Sequence, residues 1–175
     1  VPLPYRMENS RAIPTVNTIE KGQELVWEQY DIEPVREETG LPGDYTPYPW
    51  IDISDFRSWN EVRHWALELY HYPSSLPPEL ERQLQVITRL PNDEQKALAA
   101  LRFVQDSIRY VGSFMGEHSH KPYKIETIMD RRFGDCKDKT LLLVALLRRI
   151  GFQASPALVN TKSRKQIANW LPSPL

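Results

Sequence analysis

Apolar residues follow two different rhythms along this chain, changing near residue 58. In "GQELVWEQYDIEPV", Val26, Trp27, Tyr30 and Ile32 alternate in part with polar residues and trace no helical stripe. That pattern predicts one long strand, or two with a bulge. "EETGLPGDYTPYPW" carries Pro42, Gly43, Pro47 and Pro49 and reads as a loop or linker. "SWNE", Ser58 to Glu61, is then a capping box, in which a hydroxyl and a carboxylate satisfy backbone donors at a helix start. Val62, Trp65, Ala66 and Leu69 make the core face of that helix, and Pro73 follows it. "LPPELERQLQVITRLP" predicts a second helix with Leu80, Leu84 and Ile87 on one stripe. "NDEQKALAALRFVQDSIRYV" predicts a third, capped at Asn92 or Asp93, with Leu101, Val104 and Ile108 facing the core.

"GSFMGEHSHKPY" reads as a loop. A fourth helix starts near Asp135 and ends at Gly151, with Arg148 and Arg149 in its last turn. Its run Leu141 to Leu147 is apolar all round, the mark of a helix buried on every side. That run is far too short to span a bilayer. "FQASPALVNT", residues 152–161, predicts a strand. The opening "VPLPYRMENS" has no charged-then-apolar leader and reads as a cut into a longer protein.

The totals change this picture little. With 175 residues the chain holds one domain, or one and part of another. The net charge of −1 names no partner, although residues 1–120 carry −8 and residues 121–175 carry +7. Basic residues are not interleaved with aromatics in a stripe, so no nucleic-acid partner is expected. A single cysteine excludes an internal disulfide and a thiolate-rich zinc site. "EHSH", Glu117 to His120, has generic spacing and no further ligand cluster, so no metal is assigned.

That cysteine, Cys136, stands in "RRFGDCKDKTLLLVALLRRIG" at the mouth of the most apolar segment. Free cysteine is ordinarily a small, inert core residue. Here its neighbours are charged. Asp135 is the expected N-cap, Asp138 sits at the third helical position and Cys136 at the first. Free N–H groups and the helix dipole favour a thiolate there, and Lys137 and Lys139 add positive charge. The same amides suit a developing oxyanion, and Gly134 leaves room for a substrate to approach the backbone. Asp135 and Asp138 read as caps and Lys137 and Lys139 as solvated, all able to tune the thiolate. A nucleophilic cysteine needs a base, yet His64, His71, His118 and His120 all precede it.

"RRFGDCKDKTLLLVALLRRIGFQASPALVNT" resembles the transglutaminase-like, papain-fold superfamily. "FVQDSIRYVG" resembles the helix before the family's catalytic loop. "ISDFRSWNEVRHWALELY" resembles the junction in bacterial members that carry an upstream β-rich domain of unknown function. The resemblance implies an α+β protein. Residues 1–55 would be the last strands and linker of the upstream β-domain. Residues 56–175 would be the helical half of the papain-like core, ending before most of its sheet.

It implies Cys136 as the nucleophile of a Cys-His-Asp triad whose histidine and aspartate follow the cysteine; no histidine follows Cys136 here. Tyr110 becomes an oxyanion donor or groove residue, or simply an aromatic finishing a helix. The expected chemistry is amide acyl transfer through a thioester at Cys136, on a protein or peptide substrate, with hydrolysis ahead of cross-linking. The piece itself would be inactive. No cofactor is implied and no calcium loop is present. The alternatives are a non-catalytic binding or scaffold module that keeps the fold, and a redox sensor using the lone thiol. A bacterial envelope or periplasmic location is expected from the resemblance. So is self-association, through a helix left without a covering surface.

Overall fold

A computed structural model describes the chain except residues 1–2, 11, 37–38, 43–44, 46, 113, 161–163 and 175. The fold is α+β, and it divides into two compact units, Val1–Arg63 with Val159–Leu175, and His64–Leu158. Among the described residues no helix is long and apolar enough to cross a membrane.

The first unit contains β1 (Tyr5–Glu8), β2 (Thr15–Ile19), β3 (Gly22–Val26) and β4 (Trp50–Ile53). β1 pairs antiparallel with β4, and β2 forms a tight hairpin with β3. The long strand expected over residues 22–35 is therefore cut to β3. A strand lasts only while a partner takes its backbone groups, and β2 is five residues long. The C-terminal tail joins the β1–β4 pair. Leu171 N–H donates to the Asp52 carboxylate at 3.2 Å, the Ser54 hydroxyl donates to the Pro172 carbonyl, and Trp170 leans on Trp50 with ring centres 5.8 Å apart.

α1 (Trp59–Leu69) carries the division between the units. At its start Ser58 Oγ accepts from Glu61 N–H at 3.2 Å. The Glu61 carboxylate accepts in turn from Arg57 N–H at 2.8 Å, one residue before the expected partner.

The second unit holds α2 (Pro78–Thr88), α3 (Asp93–Ser107), β5 (Arg109–Tyr110), α4 (Ile125–Arg131), β6 (Phe133–Gly134) and α5 (Cys136–Arg149). Asn92 caps α3 by accepting from Gln95 N–H at 2.9 Å. The buried stripe of α3 runs through Ala100 and Val104 to Ile108, at i, i+4 and i+8, whereas Leu101 is 37% exposed. One position along a helix turns a side chain by about 100°, which takes Leu101 off the core face on which the sequence pattern had put it.

α5 is the centre of this unit. Leu141, Leu142, Ala145 and Leu146 lie in one buried cluster with Leu80, Ile87, Val104, Ile108, Ile125 and Ile128, and Leu143 and Leu147 pack on it from partly buried positions. The helix thus has a covering surface within its own unit, contrary to expectation. Its end is a Schellman cap. Gly151 N–H donates to Arg148 O at 3.2 Å and Phe152 N–H to Leu147 O at 2.9 Å, with Gly151 at φ +96°. Beyond it, residues 152–160 do not form the expected strand, and residue 161 lies outside the described residues. Among the described residues no strand pairs with this segment, and Arg148 Nε holds its Ala154 carbonyl at 2.7 Å.

Leu142 is fully buried in the shared cluster. Leu142→Ala is expected to remove about 2–5 kcal/mol of stability, read as a fall in the urea midpoint followed by helical circular dichroism.

Candidate active site

The first turn of α5 is a closed polar knot with one exposed member. Within Gly134–Asp138, Cys136 alone is exposed and the other four residues are buried. The reading of a cysteine buried in the core is thereby overturned. Asp135 is the N-cap, accepting from Lys137 N–H at 3.2 Å and from the backbone of Asp138, while the Asp138 carboxylate accepts from Asp135 N–H at 3.1 Å. This is a reciprocal capping box with aspartate at both ends.

Asp138 does more than cap. Its Oδ1 accepts from Tyr123 N–H at 2.8 Å, and its Oδ2 accepts from the Arg131 guanidinium at 2.8 Å. One carboxylate therefore ties the approach to α4, the end of α4 and the start of α5. Arg131 also donates from Nε to Phe133 O at 2.8 Å and lies over the rings of Tyr123 and Phe133.

Gly134 has a different reason from the one expected. A Cβ there would stand 2.7 Å from Asp138 Cβ and 2.8 Å from its Oδ2. The space belongs to the capping carboxylate rather than to an approaching substrate.

The lysines are not solvated. Lys137 is buried and its ammonium pairs with the Asp135 carboxylate, while Phe114 lies 5.2 Å from it. Lys139 Nζ donates to Ile108 O at 2.6 Å and Gln105 O at 3.2 Å, capping the end of α3 from the side of α5. Arg131 and Lys137 thus balance Asp138 and Asp135. The oxyanion expectation narrows as well. Asp135 occupies the N–H groups of Lys137 and Asp138, so the Cys136 N–H is the first-turn amide that keeps no protein partner among the described residues.

Two tyrosines face this turn. β5 and β6 run parallel, with Tyr110 opposite Gly134, two residues before the thiol. Tyr110 is 57% exposed. Its phenol is pushed up by desolvation first, then by the charges of Cys136 and Asp135 and by a side-chain hydrogen bond to Cys136. Tyr70, just past α1, was not singled out from sequence, since nothing local marks it. Its phenol is pushed up to about 12, mainly by burial and then by the charges of Tyr72, Cys136, Asp135 and Asp138.

Two of the histidines ahead of the cysteine pack on aromatic rings. His118 stacks on Tyr123 at 3.5 Å, and His120 meets Trp65 edge-on at 5.3 Å. Among the described residues no group of three or more His, Cys, Asp or Glu side chains could hold a metal ion.

Comparison with known proteins shows the family and the fold. The sequence pattern of the Transglutaminase-like superfamily matches residues 82–171. Among solved structures, the chain is similar to a candidate protease from Parabacteroides distasonis, with a TM-score of 0.68 at 16% identity. That match covers 86% of this chain, which spans 30% of the length of the other. No curated protein matches the chain significantly.

Two outcomes follow from the packing. Gly134→Ala is expected to force Asp138 out of its cap at a cost of about 1–3 kcal/mol, read from the urea midpoint; an unchanged midpoint would contradict the close packing. Tyr70 adds a pH dependence. Its phenol titrates near 10 when unfolded and about 12 when folded, so the native state binds that proton more tightly. The contribution is present below about pH 10 and is lost as pH rises towards 12. Tyr70→Phe should flatten the fall in urea midpoint across that window.

Proposed function

The chain belongs to the transglutaminase-like superfamily, and from that premise we propose that Cys136 is a nucleophile for amide acyl transfer on protein or peptide substrates. The observation that carries this is the exposed thiol on the first residue of a capped helix whose other early residues are buried. A rigid, packed base fixes the sulfur at an open first-turn position.

In this reading Sγ attacks the amide carbonyl carbon, the C–N bond breaks, and ammonia or an amine leaves with a proton. A thioester remains on Cys136. Water then attacks it, releasing a carboxylic acid and restoring the thiol. The Cys136 N–H and the Tyr110 hydroxyl are the donors for the oxyanion in both steps. Asp135, Asp138, Gly134 and Lys137 act through the helix start, holding the turn that presents the sulfur. We favour hydrolysis over cross-linking, because exposure of Cys136 leaves its thioester open to water.

His118 and His120 are held by Tyr123 and Trp65, and no histidine follows Cys136 in these 175 residues. This reading takes Cys136 to act in this chain without a histidine base. An activated ester, whose leaving group needs no proton, is expected to acylate Cys136 once per chain. Unactivated amides are expected to stay uncleaved. Mass spectrometry checks this: a single hydroxylamine-sensitive acyl group in the folded chain, absent in Cys136→Ala. Acylation in urea with none in the folded chain would refute the reading.

A further inference from the structure

Beside the thiol runs a short strand with one edge unused. β5 gives Arg109 N–H to Arg132 O at 2.9 Å and Val111 N–H to Gly134 O at 3.0 Å. Alternate residues of a strand direct their backbone groups to opposite edges. The N–H and C=O of Tyr110 therefore point away from β6, and neither has a protein partner among the described residues. Unpaired strand edges are templates for a further strand.

This edge differs from an ordinary exposed one in two ways. First, it belongs to the residue that sits opposite Gly134 in the ladder, two positions before Cys136. Second, apolar side chains follow it in the open: Val111 is 37%, Phe114 61% and Met115 80% exposed. The Phe114 ring is folded back on the strand end, 2.9 Å from where a Cβ on Gly112 would stand, and lies next to Lys137. Gly112 leaves room for that ring to lie against the strand end.

We propose that the outer edge of β5 is the substrate-docking edge: an extended segment of a protein substrate pairs antiparallel with Tyr110, exchanging two main-chain hydrogen bonds with it. This deepens the acyl-transfer reading above and rests on it. Free backbone donor and acceptor groups in strand geometry recognise another extended backbone, whatever its side chains, so the substrate is selected as unfolded or loop-presented peptide. In such a pair the two opposed side chains lie on one face with Cβ atoms about 5 Å apart. The substrate residue opposite Tyr110 therefore sends its side chain alongside the phenol, towards Cys136. Its neighbours point to the other face, and the strand end offers Phe114 and Met115 as an apolar seat.

The test compares electrophiles on the intact 175-residue chain. A pentapeptide carries a chloroacetamide on its central side chain, and N-methylchloroacetamide is the small reference. Two main-chain bonds should make the peptide label Cys136 at least about tenfold faster than the reference. Methylating the amide nitrogen of the central residue should abolish that gain, whereas methylating the adjacent amide should leave it. A ratio near one, or equal loss from both methylations, overturns the edge. The reference reagent alone, on folded chain against chain in urea, reports separately on the thiol. A thiol accessible in both states with no peptide gain defeats this proposal and spares the acyl-transfer reading. An independent readout uses Cys136→Ala with the peptide lacking its electrophile. The amide resonance of Tyr110 should shift on titration, and an unmoved resonance overturns the proposal whatever the thiol does.

Discussion

The carboxylate of Asp138 is the interaction on which the site depends. It is almost fully buried and accepts from Tyr123 N–H, Arg131 and Asp135 N–H at once. A buried anion is tolerated only when its lone pairs are met and its charge is balanced. Here Arg131 supplies the charge and two backbone amides supply the rest. Each partner belongs to a different piece of chain, so satisfying one charge also sets where three segments meet.

From that constraint the exposure of Cys136 follows. Asp138 and Asp135 cap each other, Lys137 folds back on Asp135, and Gly134 gives up its side chain so that Asp138 can close in. Every side chain around the sulfur has a fixed inward task, which leaves position 136 as the one that faces out. The local charges cancel in pairs, so what sets this cysteine apart is position: a sulfur on a rigid helix end, beside its own free amide and two residues past the ladder partner of Tyr110. The parallel β5–β6 ladder, two residues long, is what brings Tyr110 beside this turn.

Much of the helical half was legible because it rests on local rules. The caps at Asn92, Ser58 and Asp135 and the stop at Gly151 depend on residues within a turn of one another, and all four act as their sequence implies, save that the return bond from Glu61 falls on Arg57. Failures came where a residue's task is set by something far along the chain. Lys139 looks solvated beside its neighbours, yet it caps α3 from more than thirty positions away. Tyr70 carries no local sign of its place near Cys136. α4 and the β5–β6 pair are too short to show a period. The strand expected after Gly151 had the right composition, but strands also need a partner, and composition cannot provide one.

By itself, the sequence determined that Cys136 opens a capped, apolar helix and that this stretch resembles the transglutaminase-like superfamily, because both are written in contiguous residues. Only the tertiary structure decided which way the cysteine faces, that Gly134 serves Asp138, and that Tyr110 lies opposite Gly134 with a bare backbone edge on its other side. Those are statements about separation in space. Segments twenty-odd residues apart acquire a distance only once a buried charge and a packed core have chosen it.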